Sequence, residues 1–418
     1  MQQYRCNTCG QIFSAPLPDE AQSRYNKELK AILSLQKYAL GSPFYRIEQF
    51  QKMLGAPLSD SAIWEVVKEV AEFLYPIYVL LISLAAQANI LSHDDTSVKI
   101  LDLLQENKKE LDQKRPGIHT TGVLAQAGKH KIALFFSGRQ HAGENLRDLL
   151  QQREKDLPPP LQVCDASSSN TIFKSPKQLF ATVGPCGPRW LHRKFNDLKV
   201  NFPEESQFVL DKIKSIYKND ALAKKEEMTS QERLEYHYMH SQFPLEQLHF
   251  WLDSYKKNKD NEKKLELEKT VNEKKKEKKL ELEKTVNEKK KEKKLELEKT
   301  VNEENSALGK AVNYTLKHWE ELTQFLRYLD VPLDNNEQER ALKTPIRNRR
   351  NSFFFKTKRG ALIGDIHFSI LLTCEKSGVN PYDYLIAIQQ YEKEVALDPN
   401  SWLPWNYQEQ LLEIKEAS

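Results

Sequence analysis

In Ile90-Leu-Ser-His93-Asp94-Asp95-Thr96 a short apolar run passes without any turn residue into a polar His-Asp-Asp-Thr. No charge occurs from Phe73 to His93, and Ile77 to Ala86 is strongly apolar. A membrane-crossing helix needs about 20 predominantly apolar residues, but Ser83, Gln87, Asn89 and Ser92 crowd the second half of this one. The expectation is therefore a buried helix, with Pro76 in its first turn, feeding a β-strand that ends at Asp94.

The pattern on either side makes this an α/β chain. Residues 20–90 carry apolar positions at helical spacing, among them Ile63, Val66, Val67 and Val70. Gly117 to Val123, Ile132 to Phe136 and Leu161 to Cys164 are short β-type runs. One helix, Gly143 to Arg153, lies among them after a Gly-Arg-Gln-His-Ala-Gly turn. Residues 205–255 and 306–330 read as helix again, Phe353-Phe354-Phe355 as strand-like, and Ile363 onward as helix. At 418 residues the chain has material for two to three folding units. Only 14 glycines argue against a Gly-rich β-sandwich or a collagen-like chain.

The net charge of +4 comes from one segment. Residues 256–304 hold 18 Lys and 14 acidic residues, which leaves 45 basic against 45 acidic residues elsewhere. Any case for a polyanionic partner must therefore rest on local clusters. The segment is a tandem repeat of period 15, with copies beginning at Glu262, Glu277 and Glu292. At about 100° per residue each copy turns its apolar residues by roughly 60°. Leu265, Leu280 and Leu295 then share no stripe, which excludes a coiled-coil seam. A solvated, ion-paired helix or a disordered linker remains.

Five cysteines do not form a disulfide framework. Cys6-Asn-Thr-Cys9 is half of a zinc ribbon, an incomplete Zn²⁺ knuckle, because structural zinc takes four ligands and no second Cys-x-x-Cys follows. The first residues have no apolar signal-peptide core, so a soluble, cytoplasmic protein without membrane contact is expected.

Three acidic positions could carry chemistry: Asp94, Asp165 directly after the Leu161–Cys164 run, and Glu339 at the start of a helix. Two aspartates at strand ends and a helical glutamate are how RNase-H-like nucleases hold two divalent metals that act on a phosphodiester. Taken singly, each has a plainer reading. Asp94 could cap or turn before Thr96, Asp165 could cap a turn into Ser167, and Asn336-x-x-Glu339 has capping-box spacing. From Arg340 to Arg359, however, eight basic residues occur with no acidic one: Arg340, Lys343, Arg347, Arg349, Arg350, Lys356, Lys358 and Arg359, with Phe353, Phe354 and Phe355 interleaved. Such a run beside a metal site suits DNA. Arg139 and His141, in the turn before a helix, are a weaker phosphate-binding candidate.

Longer motifs occur in a recognisable order: His93-Asp-Asp-Thr96, Ala133-Leu-Phe-Phe-Ser-Gly-Arg-Gln-His-Ala-Gly-Glu-Asn145, Gln162-Val-Cys-Asp165-Ala-Ser-Ser-Ser-Asn170, Ser306-Ala-Leu-Gly-Lys-Ala-Val-Asn-Tyr314, Asp334-Asn-Asn-Glu-Gln-Glu339-Arg340, Asn348-Arg-Arg-Asn-Ser-Phe353 and Gly378-Val-Asn-Pro-Tyr-Asp-Tyr-Leu385. Over most of residues 40–390 the chain resembles transposases of the insertion sequence 66 family, which are DDE-type. The resemblance implies an RNase-H-like (retroviral-integrase-like) catalytic core with helical flanks and a large helical insertion. It implies Asp94, Asp165 and Glu339 as the catalytic, Mg²⁺-binding triad, with Mn²⁺ as a substitute. The implied activity is metal-dependent strand cleavage and strand transfer on DNA, at transposon ends and target, by a homo-oligomer, with small accessory proteins as further partners.

The corresponding organisation is a zinc-finger remnant at 1–19, a helical region suited to DNA binding at 20–89, and the core at 90–199 and 331–395. The insertion with the repeat at 262–304 occupies 200–330, and a tail occupies 396–418. Two departures accompany the resemblance. Only the Cys6/Cys9 half of the family's zinc finger is present, which implies an N-terminally truncated copy. The family's Cys-x-x-His-x-Arg-Arg-x-Phe segment here reads Cys186-Gly-Pro-Arg-Trp-Leu-His192-Arg-Lys-Phe195, with the histidine displaced. The rival implication is a truncated, catalytically inactive relic that binds DNA.

Overall fold

The computed structural model describes residues 3–5, 8–9, 11–14, 25–109, 116–164, 180–182, 188–280 and 307–417. The chain divides into two compact units, Met1–Pro158 with Gln338–Ser418, and Pro159–Glu337.

The first unit opens with a small antiparallel ribbon, β1 (Gln3–Arg5) and β2 (Ile12–Ser14), with Cys9 exposed in the connection. Helix α1 (Lys27–Ser34) starts at Asn26, whose side chain accepts from the Leu29 amide, and runs on into a π turn over Leu35–Ala39. Helices α2 (Phe44–Met53) and α3 (Asp60–Ala86) follow, α3 capped by Ser59. Helix α3 is the one described helix long and apolar enough to cross a membrane. Its Ile63, Val67, Leu74, Ile77 and Leu81 are fully buried in the core of this unit.

Pro76 lies inside α3 and not in its first turn. A proline there forfeits one helical hydrogen bond. Burial of Val66, Val67 and Val70 before it and Ile77, Tyr78 and Leu81 after it offsets that loss, which local sequence could not show.

Strands β3 (Ile90–Ser97), β4 (His119–Ala127) and β5 (His130–Gly138) form an antiparallel meander. The β4–β5 hairpin turns at Gly128, whose φ of +59° is the left-handed conformation that glycine takes at no steric cost. β3 is longer than its apolar run, so Asp94 lies within the strand and not at its end. Pairing with β4 extends the strand through polar residues that alternation alone would end. Helices α4 (Leu101–Lys109) and α5 (Ala142–Leu150) complete the N-terminal part. The Phe353–Phe355 run is not a strand: Phe353 has φ +63°, and only Phe355 bridges to Ile100.

From the C-terminal part come α10 (Asn336–Ser352), which begins at the unit boundary, α11 (Lys358–Lys376) and α12 (Pro381–Gln390). Helix α11 lies along β5. The amides of Ala133, Phe135 and Ser137 donate to Thr373 Oγ1, Ser369 Oγ and Asp365 Oδ2 at 3.0, 3.0 and 2.7 Å. Two strand residues advance by about 6.8 Å and four helical residues by about 6 Å, so polar side chains at every fourth helical position match every second strand amide. The edge of β5 is thereby covered.

The second unit contains the parallel pair β6 (Leu161–Cys164) and β7 (Phe180–Thr182), then α6 (Pro188–Leu198), α7 (Pro203–Lys225), α8 (Ser230–Leu280) and α9 (Ala307–Lys317). Its core is helical, built on Leu191, Phe195, Val209, Ile213, Leu248, Leu252, Leu308 and Val312. Buried Asp220 is satisfied by Arg233 at 2.8 Å, Lys224 at 2.6 Å and the His237 ring at 3.3 Å. The first copy of the repeat continues α8, whose described part ends at Leu280.

Candidate active site

Asp94 and Asp95 are consecutive on β3, so strand alternation sends their side chains to opposite faces of the sheet. Asp94 is half-buried, and its Oδ1 accepts from the Asp95 amide at 2.8 Å. Its register partner on β4 is Gly122. Directly paired residues project to the same face, so whatever occupies the space above Gly122 faces Asp94 as well. That space is filled by α10. A Cβ built on Gly122 would lie 2.7 Å from Gln338 Nε2 and 2.9 Å from Leu342 Cδ2. Gln338 Nε2 also donates to the Gly122 carbonyl at 2.6 Å. The missing side chain is what lets the first turn of α10 reach the sheet at the Asp94 rung.

Glu339 follows Gln338 on that turn and is exposed. The rest of α10 is fixed at several points. Buried Lys37 donates to Asn348 Oδ1 and Ser352 Oγ, both at 2.9 Å, and Asn351 Nδ2 donates to the Gly41 carbonyl at 3.1 Å. Asp165 and Cys6 lie outside the described residues.

Several of the basic residues bind elsewhere in the protein. Arg349 donates to Thr96 Oγ1 at 3.0 Å, to Ser97 Oγ at 2.8 Å and to the Ser97 carbonyl, tying α10 to β3. Arg347 donates to the Ala39 carbonyl, Lys358 pairs with Glu106 and Arg359 with Glu72. Arg139 is held by Asn107 and Glu106. Arg340, Lys343, Arg350 and Lys356 are exposed.

On the other face of β3 a second constellation occurs that sequence reading missed. Asp95, His119 and His141 bring one ligand atom each to within 4.8 Å of one another. Asp95 Oδ1 accepts from Thr121 Oγ1 at 2.6 Å and Oδ2 from the Ala142 amide at 2.8 Å, while His141 Nδ1 stands 3.4 Å from Oδ2. The two imidazole rings are 4.2 Å apart. Burial holds His119 below the ordinary histidine range, with the neighbouring His141 adding to that and Asp95 opposing it. The Asp-Asp doublet, and His141 as a phosphate-binding candidate, were the signals in the sequence; neither pointed to this grouping. Pairing of Ser97 with His119 across β3 and β4 is what brings the first imidazole in.

A protein-family model described as "Transposase IS66 family" matches residues 22–280 and 258–362. Uncharacterized protein y4jD of Sinorhizobium fredii is 32% identical over 105 residues, 24% of this chain and 20% of the relative. Uncharacterized protein y4hP of the same organism is 33% identical over 81 residues, 19% of this chain and 15% of the relative. The matches thus span a fifth or less of these curated relatives.

Proposed function

Because the chain belongs to the IS66 family of transposases, we propose that it cleaves and joins DNA strands at transposon ends with a divalent-metal site built from Asp94, Asp165 and Glu339 in an RNase-H-like core. The observation that carries this reading is the contact of Gln338 with Gly122, at the strand position paired with Asp94. It brings the turn bearing one candidate carboxylate to the face onto which the other projects.

The donor set suits a hard cation. Mg²⁺ and Mn²⁺ prefer carboxylate oxygen. Such ions, when bound, activate an attacking oxygen and stabilise the leaving one. The protein's own part is to hold the carboxylates still. Asp94 is fixed on a paired strand, and Glu339 sits on a helix anchored at Gly122, Ser97 and Lys37. Arg340, Lys343, Arg350 and Lys356 supply exposed positive charge for the DNA backbone.

The test is Mg²⁺- or Mn²⁺-dependent cleavage of DNA carrying the element's ends by Asp94→Asn, Asp165→Asn and Glu339→Gln. Each substitution removes a charge and keeps the side chain's size. Loss of cleavage with folding and DNA binding retained is the expected outcome. Near-normal cleavage by all three variants overturns the mechanism. A wild-type chain that binds these ends but never cuts them supports the reading of a DNA-binding relic.

A further inference from the structure

We propose that Asp95, His119 and His141 form a second metal site, for a single zinc-type transition-metal ion, on the face of the sheet opposite Asp94. This goes beyond the strand-cleavage reading and does not depend on it.

The donor chemistry differs from that of the carboxylate triad. Two imidazole nitrogens and one carboxylate oxygen suit zinc, and three protein ligands leave a fourth position for water. One of the three separations matches directly, and the other two lie within 4.8 Å. Tetrahedral ligands at zinc distances lie roughly 3.4 Å from one another, and His141 Nδ1 is 3.4 Å from Asp95 Oδ2. A charge-assisted hydrogen bond between those atoms would be about 2.7–2.9 Å. The separation is too long for a good ion pair and right for two ligands that share an ion.

The surroundings are those of a prepared ligand. Asp95 Oδ1 accepts from Thr121 Oγ1 and Oδ2 from the Ala142 amide, with His141 Nδ1 a second, longer neighbour of Oδ2, and Thr121 is itself held by Asn145 Nδ2 at 2.8 Å. Hydrogen bonds of this kind orient a ligating carboxylate while leaving a lone pair for the ion. A helix cap accounts for the Ala142 bond and for the place of His141, which is the N-cap of α5 and donates its amide to Glu144 Oε2 at 3.1 Å, but not for a second imidazole, that of His119, against the same carboxylate. The three residues come from β3, β4 and the β5–α5 connection, so an ion here would clip those segments together beneath the strand that carries Asp94.

The experiment uses the full chain with Cys6→Ser and Cys9→Ser, so that the Cys-x-x-Cys pair does not contribute, freed of metal with a chelator. Zn²⁺ is titrated against a chromophoric chelator, Co²⁺ is followed by its visible absorption, and melting is measured with and without Zn²⁺. One equivalent should bind, raise the melting temperature and give a tetrahedral Co²⁺ spectrum. His119→Ala, which removes no helix cap, should weaken Zn²⁺ binding at least tenfold, and so should His141→Ala, which also alters the N-cap of α5. Asp94→Asn should leave binding unchanged. X-ray absorption of the zinc-loaded parent protein should show two imidazoles, a reading that needs no variant to fold. Absence of stoichiometric binding, binding indifferent to both histidine substitutions, or binding lost in Asp94→Asn would each overturn the proposal.

Discussion

Gln338 donates its side-chain amide to the carbonyl of Gly122 at 2.6 Å, and through that bond the first turn of α10 rests on the strand position paired with Asp94. The contact exists because Gly122 has no side chain. Gly122→Ala puts a methyl group 2.7 Å from Gln338 Nε2 and 2.9 Å from Leu342 Cδ2. Overpacking of this kind costs about 1–3 kcal/mol. Melting should fall accordingly, and metal-dependent cleavage should fall further than DNA affinity, because the displaced turn carries Glu339. An unchanged cleavage rate in a destabilised Gly122→Ala would show that the position of this turn does not govern the chemistry.

Arg349 and Arg350 are neighbours with different duties. Arg349 is spent on Thr96 and Ser97, whereas Arg350 is exposed. Arg350→Ala should leave melting unchanged and make the salt dependence of DNA binding shallower by about one phosphate contact. Arg349→Ala should instead lower melting by loosening α10 from β3. The comparison needs only a thermal scan and binding at several salt concentrations. Equal effects of the two substitutions on both quantities would refute the division.

The same pair shows what the sequence could disclose. A one-sign run of eight basic residues was visible, but which of them fold back onto carbonyls and carboxylates depends on contacts such as Arg349 with Ser97, 252 positions away. A strand through Ile90 and Leu91 and a helix beginning near Glu339 were legible from local patterns. The length of β3 was not, since its polar half is a strand only through pairing with β4. Nor was the course of α3 through Pro76, where tertiary burial overrides a local breaker. The Asp95–His119–His141 group depends entirely on cross-strand register, which a single sequence does not carry.

Deleting Glu262 to Lys291, two copies of the repeat, should leave melting and any metal-dependent activity essentially unchanged. A period of 15 keeps no apolar stripe in phase, and shortening an insertion changes closure entropy only slightly. Calorimetry of the deletion variant checks this. A large fall in melting temperature would mean that the repeat packs on a core.

Asp365 supplies a pH test of the helix that covers the edge of β5. Its carboxyl is buried and accepts from the Ser137 amide and hydroxyl, both at 2.7 Å. Burial pushes it up to about 7, against the pull of those two bonds. The folded value lies above the unfolded one of about 3.9, so the folded chain keeps a proton that the unfolded chain releases. The resulting stability is fully present below about pH 4 and is lost as pH rises through 7. Buried His93 and His367 act in the opposite sense. Burial lowers each to about 4, so their contribution is present above about 6.5 and lost as pH falls through 4. The wild-type melting profile mixes the two trends, and Asp365→Asn separates them, because the amide does not titrate. The melting temperature of the variant minus that of the wild type should rise between pH 4 and 7 and level off above about 8. A flat difference would mean that Asp365 titrates alike in the folded and unfolded chains. A falling one would mean that the Ser137 bonds outweigh burial and hold the carboxylate ionised against β5.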